Sequence, residues 1–186
     1  MPGLPEAVLP PALSWSEASK ALIARPGDPW ITPAERAGFV TTPCYAETRA
    51  WLERLAAASP AIALDTFGRT AEGRDMMLVR TSTGAARDGR PKPVVLVQAG
   101  IHAGEIDGKD AGLMLLRDIA LRGKTGLLDR VDLVFVPVYN IDGHERASRW
   151  NFPALRDPAE KGFVTNARDN NLNRHLPRPT PRKRAQ

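Results

Sequence analysis

Cysteine is nearly absent from this chain. A single one, Cys44, among 186 residues excludes an intrachain disulfide and a cysteine-rich structural zinc site. With no partner histidine near it in sequence, it reads as a small buried or half-buried side chain rather than a nucleophile. Aromatic residues make up only 6%, and no apolar run approaches the roughly 18 residues of a membrane helix. The start, Met1 to Pro11, lacks a basic segment followed by an apolar core, so it is not a signal peptide. Acidic residues are scarce near the end. The formal charge of +5 lies wholly in the stretch from Thr165 onward, where six Lys and Arg face one Asp; the preceding 164 residues are neutral. A short Pro/Arg tail touches phosphates only nonspecifically. No recognition helix, stacking platform or basic stripe accompanies it, so neither a specific nucleic acid nor a membrane is expected as partner.

The remaining composition, 42% hydrophobic and 25% charged, is that of a globular domain with a real core. Three regions are expected. Residues 1–45 form a Pro-punctuated extended arm, pinned by Trp15 and Trp30; 46–174 form an α/β domain; 175–186 form a basic, disordered tail. Tyr45 to Ala58 places Trp51, Leu52 and Leu55 on one helical face, and Ser59-Pro60 stops the helix. Ile62–Phe67 and Met76–Thr81 read as strands of a hairpin with a long turn. Val94–Gln98 and Leu133–Tyr139 do not alternate, which predicts fully buried strands. Between them, Ile106–Leu121 is a helix with Leu113, Leu116, Ile119 and Ala120 inward, ending near Gly123. Strand, helix and strand make a parallel βαβ unit, whose ligands bind beyond the strand C-termini. Ser148 to Asn170 is expected to be a long loop.

That rim carries the chemistry. Gly-Ile-His-Ala-Gly-Glu presents His102 and Glu105 three residues apart just after the first buried strand. An imidazole and a carboxylate there can share one zinc ion, which accepts both donor types. The second strand ends in Asn140-Ile141-Asp142-Gly143, read as a turn in which Asx side chains bond nearby backbone and Gly relieves the bend. Asn171-Leu172-Asn173-Arg174 follows.

In this order the three motifs resemble the zinc carboxypeptidases, the M14 metallopeptidase family, over roughly Trp30 to Arg174. The resemblance implies a mixed eight-stranded sheet with helices on both faces, of which this chain supplies about half. Strands central in the full fold would then lie at an exposed edge. It further implies zinc as cofactor, His102 and Glu105 as two of its ligands, and Asn173 and Arg174 as the pair that holds a substrate's terminal carboxylate. A guanidinium fork with an amide beside it suits that group. The implied reaction is hydrolysis of the peptide bond next to a free C-terminal carboxylate. Family members are often secreted or periplasmic. The chain as written reads as cytoplasmic unless an upstream signal was omitted.

Three departures from the family pattern stand out. Where the family has a Trp-Arg pair whose Arg stabilises the oxyanion, this chain reads Gly162-Phe163-Val164-Thr165. Loss of one such donor costs about 100- to 1000-fold in turnover; Arg168, four residues on, is the nearest replacement. The family's third zinc ligand, a later His, and its general-base Glu have no counterpart, and neither His144 nor His175 occupies that ligand's position. After Arg174 the family continues with an acidic, Ala- and Pro-containing stretch. A codon choice exists for which skipping two bases turns this tail into Pro-Ala-Gln-Ala-Asp-Ala-Pro-Glu-Ala-Arg-Ala, which predicts a frameshift. The expectation is therefore a zinc carboxypeptidase by family, inactive in this truncated form. The alternatives are a zinc amidohydrolase of the aspartoacylase or succinylglutamate desuccinylase type, and a non-catalytic binding module.

Overall fold

The computed structural model describes residues 14–86, 88–152 and 158–174. Two one-turn helices come first, α1 (Glu17–Lys20) and α2 (Pro33–Arg36), then α3 (Tyr45–Ala58), β1 (Ile62–Arg69), β2 (Asp75–Thr81), β3 (Val94–Gln98), α4 (Asp107–Leu121), a 3-10 turn (Lys124–Leu128), β4 (Asp132–Val136) and α5 (Ile141–Glu145). The expected tail at 175–186 lies outside the described residues.

The α3 boundaries are those the apolar spacing predicts. The Cys44 N–H donates to the Glu47 carboxylate at 2.9 Å and starts the helix. Cys44 itself is exposed, against the expected burial, because it sits on the solvent side of that first turn. Residues 14–44, the described part of the expected arm, are less extended than their prolines suggest. Thr32 and Glu35 close a capping box around Pro33. Trp30 packs against the core with the Arg54 guanidinium 4.2 Å from its ring centre. Trp15 instead meets Phe39 at 5.0 Å and stays half-exposed.

β1 and β2 pair antiparallel with a bulge between Thr66 and Gly68. β2 pairs antiparallel with β4, and β3 pairs parallel with β4, giving the order β1-β2-β4-β3. The βαβ unit is thus present. Pro137 has no N–H to continue the ladder, so β4 ends before the expected Tyr139. The chain still tracks β3: Tyr139 N–H donates to Ala99 O at 3.0 Å and Asn140 N–H to Gly100 O at 2.9 Å.

The core lies on one face of the sheet. Trp51, Leu52 and Leu55 of α3 and Leu113 and Leu116 of α4 pack against Ile62, Val79 and Phe135. Ala120 is half-buried beside them. Register puts Val95 and Val97 on this face with Leu133 and Phe135, and Val94 and Leu96 on the other with Asp132 and Val134. The expected burial of β3 is not met. Val94, Val95, Leu96 and Val97 are 63%, 43%, 62% and 41% exposed. The strand is apolar on both faces because its pattern suits a central position, yet among the described residues it pairs only with β4.

Candidate metal and carboxylate site

Gly100 follows β3 with φ of 64°, and a Cβ there would lie 3.3 Å from Val138 Cα. Only glycine takes that backbone freely, and it turns the chain toward Ile101 and His102. The Glu105 N–H then donates to His102 O at 3.0 Å, closing the turn ahead of α4.

The turn brings the two expected donors together. His102 Nδ1 lies 3.2 Å from Glu105 Oε1. Two ligands held about 2.0–2.1 Å from a tetrahedral zinc are about 3.3 Å apart. The opposite ring nitrogen, Nε2, lies 3.1 Å from Asn171 Oδ1. That oxygen also accepts the Asn173 N–H at 3.1 Å, which fixes the orientation of the amide. Nε2 therefore donates to that oxygen, which leaves Nδ1 turned toward the Glu105 carboxylate. At this distance the two groups can share either a proton or a metal ion. The donor set fits zinc in kind and spacing, but not in number. No group of three His, Cys, Asp or Glu is assembled among the described residues, and a catalytic zinc needs three protein ligands.

Asn173 lines the same groove as His102 and Glu105, about 360 Å³ in volume, with Val97, Asp107 and Gly108. Arg174 is not part of that lining; its Nη1 donates to Asn173 O at 3.4 Å. Arg168 lies along a different cleft, with Asn140, Asp142 and Asn170, so the structure does not place it beside the His102–Glu105 pair. At the position of the missing oxyanion arginine, Val164 O accepts a bond from Asn140 Nδ2 at 3.2 Å. The expected Asn-x-Asp-Gly turn is instead the start of α5. Asn140 Oδ1 caps it by accepting the Gly143 N–H at 3.1 Å, as expected of an Asx side chain. Gly143 is needed for space rather than for its φ: a Cβ would lie 2.6 Å from both Phe163 O and Thr165 O.

His144 is committed elsewhere. It is buried, with Nδ1 2.9 Å from Glu145 Oε1 and Nε2 3.0 Å from Lys109 Nζ. Lys109 Nζ also donates to Pro43 O at 2.6 Å. Burial pushes the imidazole below its ordinary range and the ammonium down to about 8. Sequence reasoning missed Lys109, and it quoted Asn171 without giving it a role. The available signals were a lysine inside the apolar face of α4 and an Asn two residues before the Asn-Arg pair.

These groups yield two expected results. Asn171→Leu removes the acceptor that orients His102, and zinc affinity should fall about 10- to 100-fold, the range for outer-shell partners; an unchanged affinity by calorimetry contradicts the assignment. For Lys109, the unfolded chain holds its proton up to about 10.5 and the folded chain only to about 8. Between those values the unfolded state binds more protons, so stability rises with pH, and below about 8 the gain is absent. The urea midpoint should therefore climb from pH 8 to 10, and the climb should vanish in Lys109→Met.

The family model of zinc carboxypeptidases, peptidase family M14, matches residues 48–179. The chain belongs to the zinc carboxypeptidase family. It is 30% identical over 103 residues to carboxypeptidase B of Astacus astacus, covering 54% of this chain and 33% of the crayfish protein. Human carboxypeptidase B is 32% identical over 101 residues, which cover 51% of this chain and 23% of its own. Over 111 residues the chain is 29% identical to the inactive metallocarboxypeptidase ECM14 of Saccharomyces cerevisiae, covering 56% of this chain and 25% of that one. Among solved structures, the metallo-carboxypeptidase of Burkholderia cenocepacia superposes with a TM-score of 0.54 at 28% identity, over 70% of this chain and 32% of that one. This zinc carboxypeptidase homologue thus spans about a third or less of these relatives' lengths.

Proposed function

We propose that this chain is the part of a zinc-dependent metallocarboxypeptidase that supplies two metal ligands, His102 and Glu105, and the carboxylate-binding Asn173 and Arg174, and that by itself it does not turn over peptides. The observation that carries this reading is the 3.2 Å approach of His102 Nδ1 to Glu105 Oε1, with Nε2 held from behind by Asn171.

In a complete site, bound zinc would lower the pKa of a water and polarise the scissile carbonyl. The chain's own residues do the rest of what it contributes. Asn171 holds the His102 ring so that Nδ1 is directed at the metal position. Glu105 adds a negative oxygen. Asn173, on the groove wall, offers its amide to a terminal carboxylate, and Arg174 reaches the same group once it leaves its own backbone neighbour. That contact is positioning, so its loss acts mainly on KM. The general-base Glu that the family resemblance implies has no counterpart among the described residues. Without a general base about 100- to 10,000-fold of rate is missing. The similarity to inactive metallocarboxypeptidases accords with a binding rather than a catalytic role for this chain alone.

Zinc titration by calorimetry tests the reading. The wild-type chain should bind one zinc, and His102→Ala should weaken it by more than about 100-fold, beyond the effect of an outer-shell change. Equal affinity in both proteins would remove the proposed site.

A further inference from the structure

Arg168 stands apart from the His102 groove, and the cleft that does hold it is furnished for another ligand. That cleft, about 480 Å³ in volume, lies between the turn joining β1 to β2 and the loop 166–172, a size that admits a small organic molecule. Met76, Ile141 and Leu172 give it an apolar wall. Its polar groups are mostly donors in want of acceptors. The Arg168 guanidinium makes no hydrogen bond or ion pair among the described residues. Arg69 donates through Nε to Asp75 Oδ1 at 2.9 Å, but the other oxygen of Asp75 faces Arg49 at 3.4 Å, so one carboxylate serves two guanidiniums. Asn166 Oδ1 accepts the N–H groups of Arg168 and Asn170 at 2.9 and 3.0 Å, which fixes the loop and leaves the Asn166 amide hydrogens to spare among the described residues. One acid, Asp142, lines the cleft, and it is already engaged by Thr70 Oγ1 at 2.8 Å and by Arg74 Nη1 at 2.6 Å. The balance is an unmatched positive charge beside an apolar wall.

We infer that this cleft binds a small monocarboxylate with an apolar body, its two oxygens held by Arg168 and Arg69 and its body laid on Met76 and Leu172. Guanidinium forks match the planar oxygens of a carboxylate. Inorganic phosphate has similar oxygens but brings further negative charge, which the Asp142 carboxylate opposes, and it offers nothing to the apolar wall. A cation finds no unpaired acid in the lining. The inference stands apart from the metal reading given above. Asn171 gives its side chain to His102 Nε2 at 3.1 Å, while its neighbours Asn170 and Leu172 line the cleft, so the loop divides the two sites.

The test titrates the full isotope-labelled chain with 4-phenylbutyrate, followed by nuclear magnetic resonance. Two further probes each keep one half of its chemistry: 4-phenylbutanol the apolar body, inorganic phosphate the anion. The expected result is a set of shifts at Thr70, Asn166 and Asn170 with a dissociation constant of about 1 mM, and binding of each half-probe at least about 10-fold weaker. Arg168→Gln, at an exposed position, should keep the spectrum of the folded chain and lose at least about 10-fold in affinity for 4-phenylbutyrate. Ala71→Glu, which sets a carboxylate at the cleft lining, should abolish binding without touching either arginine. His102→Ala and Arg174→Gln alter the other site and should leave the shifts and the affinity unchanged. Shifts confined to Asn173 and Arg174, equal affinity in Arg168→Gln, or phosphate bound as tightly as 4-phenylbutyrate would each overturn the assignment. Failure of zinc to bind the wild-type chain, with these shifts intact, would sink the metal reading and leave the cleft standing.

Discussion

Replacing Arg117 with methionine is expected to cost about 3–5 kcal/mol of folding stability, the penalty for stranding a buried charge. Arg117 is fully buried in α4. Its Nη1 meets Glu35 Oε2 at 2.5 Å, its Nη2 donates to Leu22 O at 2.8 Å, and its Nε lies 3.2 Å from Asp118 Oδ1. Glu35 is buried too and also accepts the N–H groups of Ala24 and Thr32, each at 2.8 Å. Methionine fills most of the arginine's volume, so packing changes little, but the Glu35 carboxylate loses its counter-charge. Adding Glu35→Gln to Arg117→Met should recover part of the loss, since an amide needs no counter-ion and keeps one acceptor oxygen. Urea denaturation of the three proteins decides the matter. A loss under about 1 kcal/mol for the single variant would mean that the pair contributes no more than a surface bridge. With Lys109 to Pro43 O and Thr42 to Asp110, the pair ties α4 to the segment that precedes α3. Its loss should therefore also loosen the frame on which the His102 turn is mounted.

The second large effect is expected at Gly162. A Cβ built there would lie 2.6 Å from Ala103 O, 2.8 Å from His144 Cα and 2.9 Å from Ala103 C. These are backbone atoms of the His102–Glu105 turn and of α5, with no flexible side chain to swing aside. Gly162→Ala should destabilise by about 1–3 kcal/mol or more, as overpacking does. It should also weaken zinc binding, because the strain falls on the residue next to His102. Gly126→Ala is the control: no atom lies within 4 Å of its would-be Cβ and its φ is ordinary. Both can be read by thermal unfolding and zinc calorimetry. Gly162→Ala with wild-type stability would show that the Ala103 and His144 backbone gives way to an added methyl group.

What could be read in the residues was local. The α3 face, its Ser59-Pro60 stop and the strand–helix–strand order from Val94 to Val136 all rest on periodicity and breakers within a dozen positions. The meeting of His102 and Glu105 needs only one turn between them. Pairings across long separations left no such trace. Asn171 reaches His102 over 69 residues and Glu35 reaches Arg117 over 82, and no spacing rule connects positions so far apart. The exposure of β3 was misread from its pattern alone, since continuous apolar sequence reports the environment a strand is made for, and the neighbours present decide the one it has. Arg117 and Lys109 broke the apolar face of α4, and that violation was the visible sign of their buried partners.

The β1–β2 hairpin is latched from far downstream. Buried Asp142 accepts from Thr70 Oγ1 at 2.8 Å and from Arg74 Nη1 at 2.6 Å, across 72 and 68 residues. During synthesis at about 5–20 residues per second, the ribosome would release the hairpin, complete at Thr81, roughly 3 to 12 s before the residue that fastens its turn. For that interval the newborn ribbon holds by its ladder alone. Slower elongation between the two segments would lengthen the window in which a chaperone, or another nascent chain, meets it unlocked.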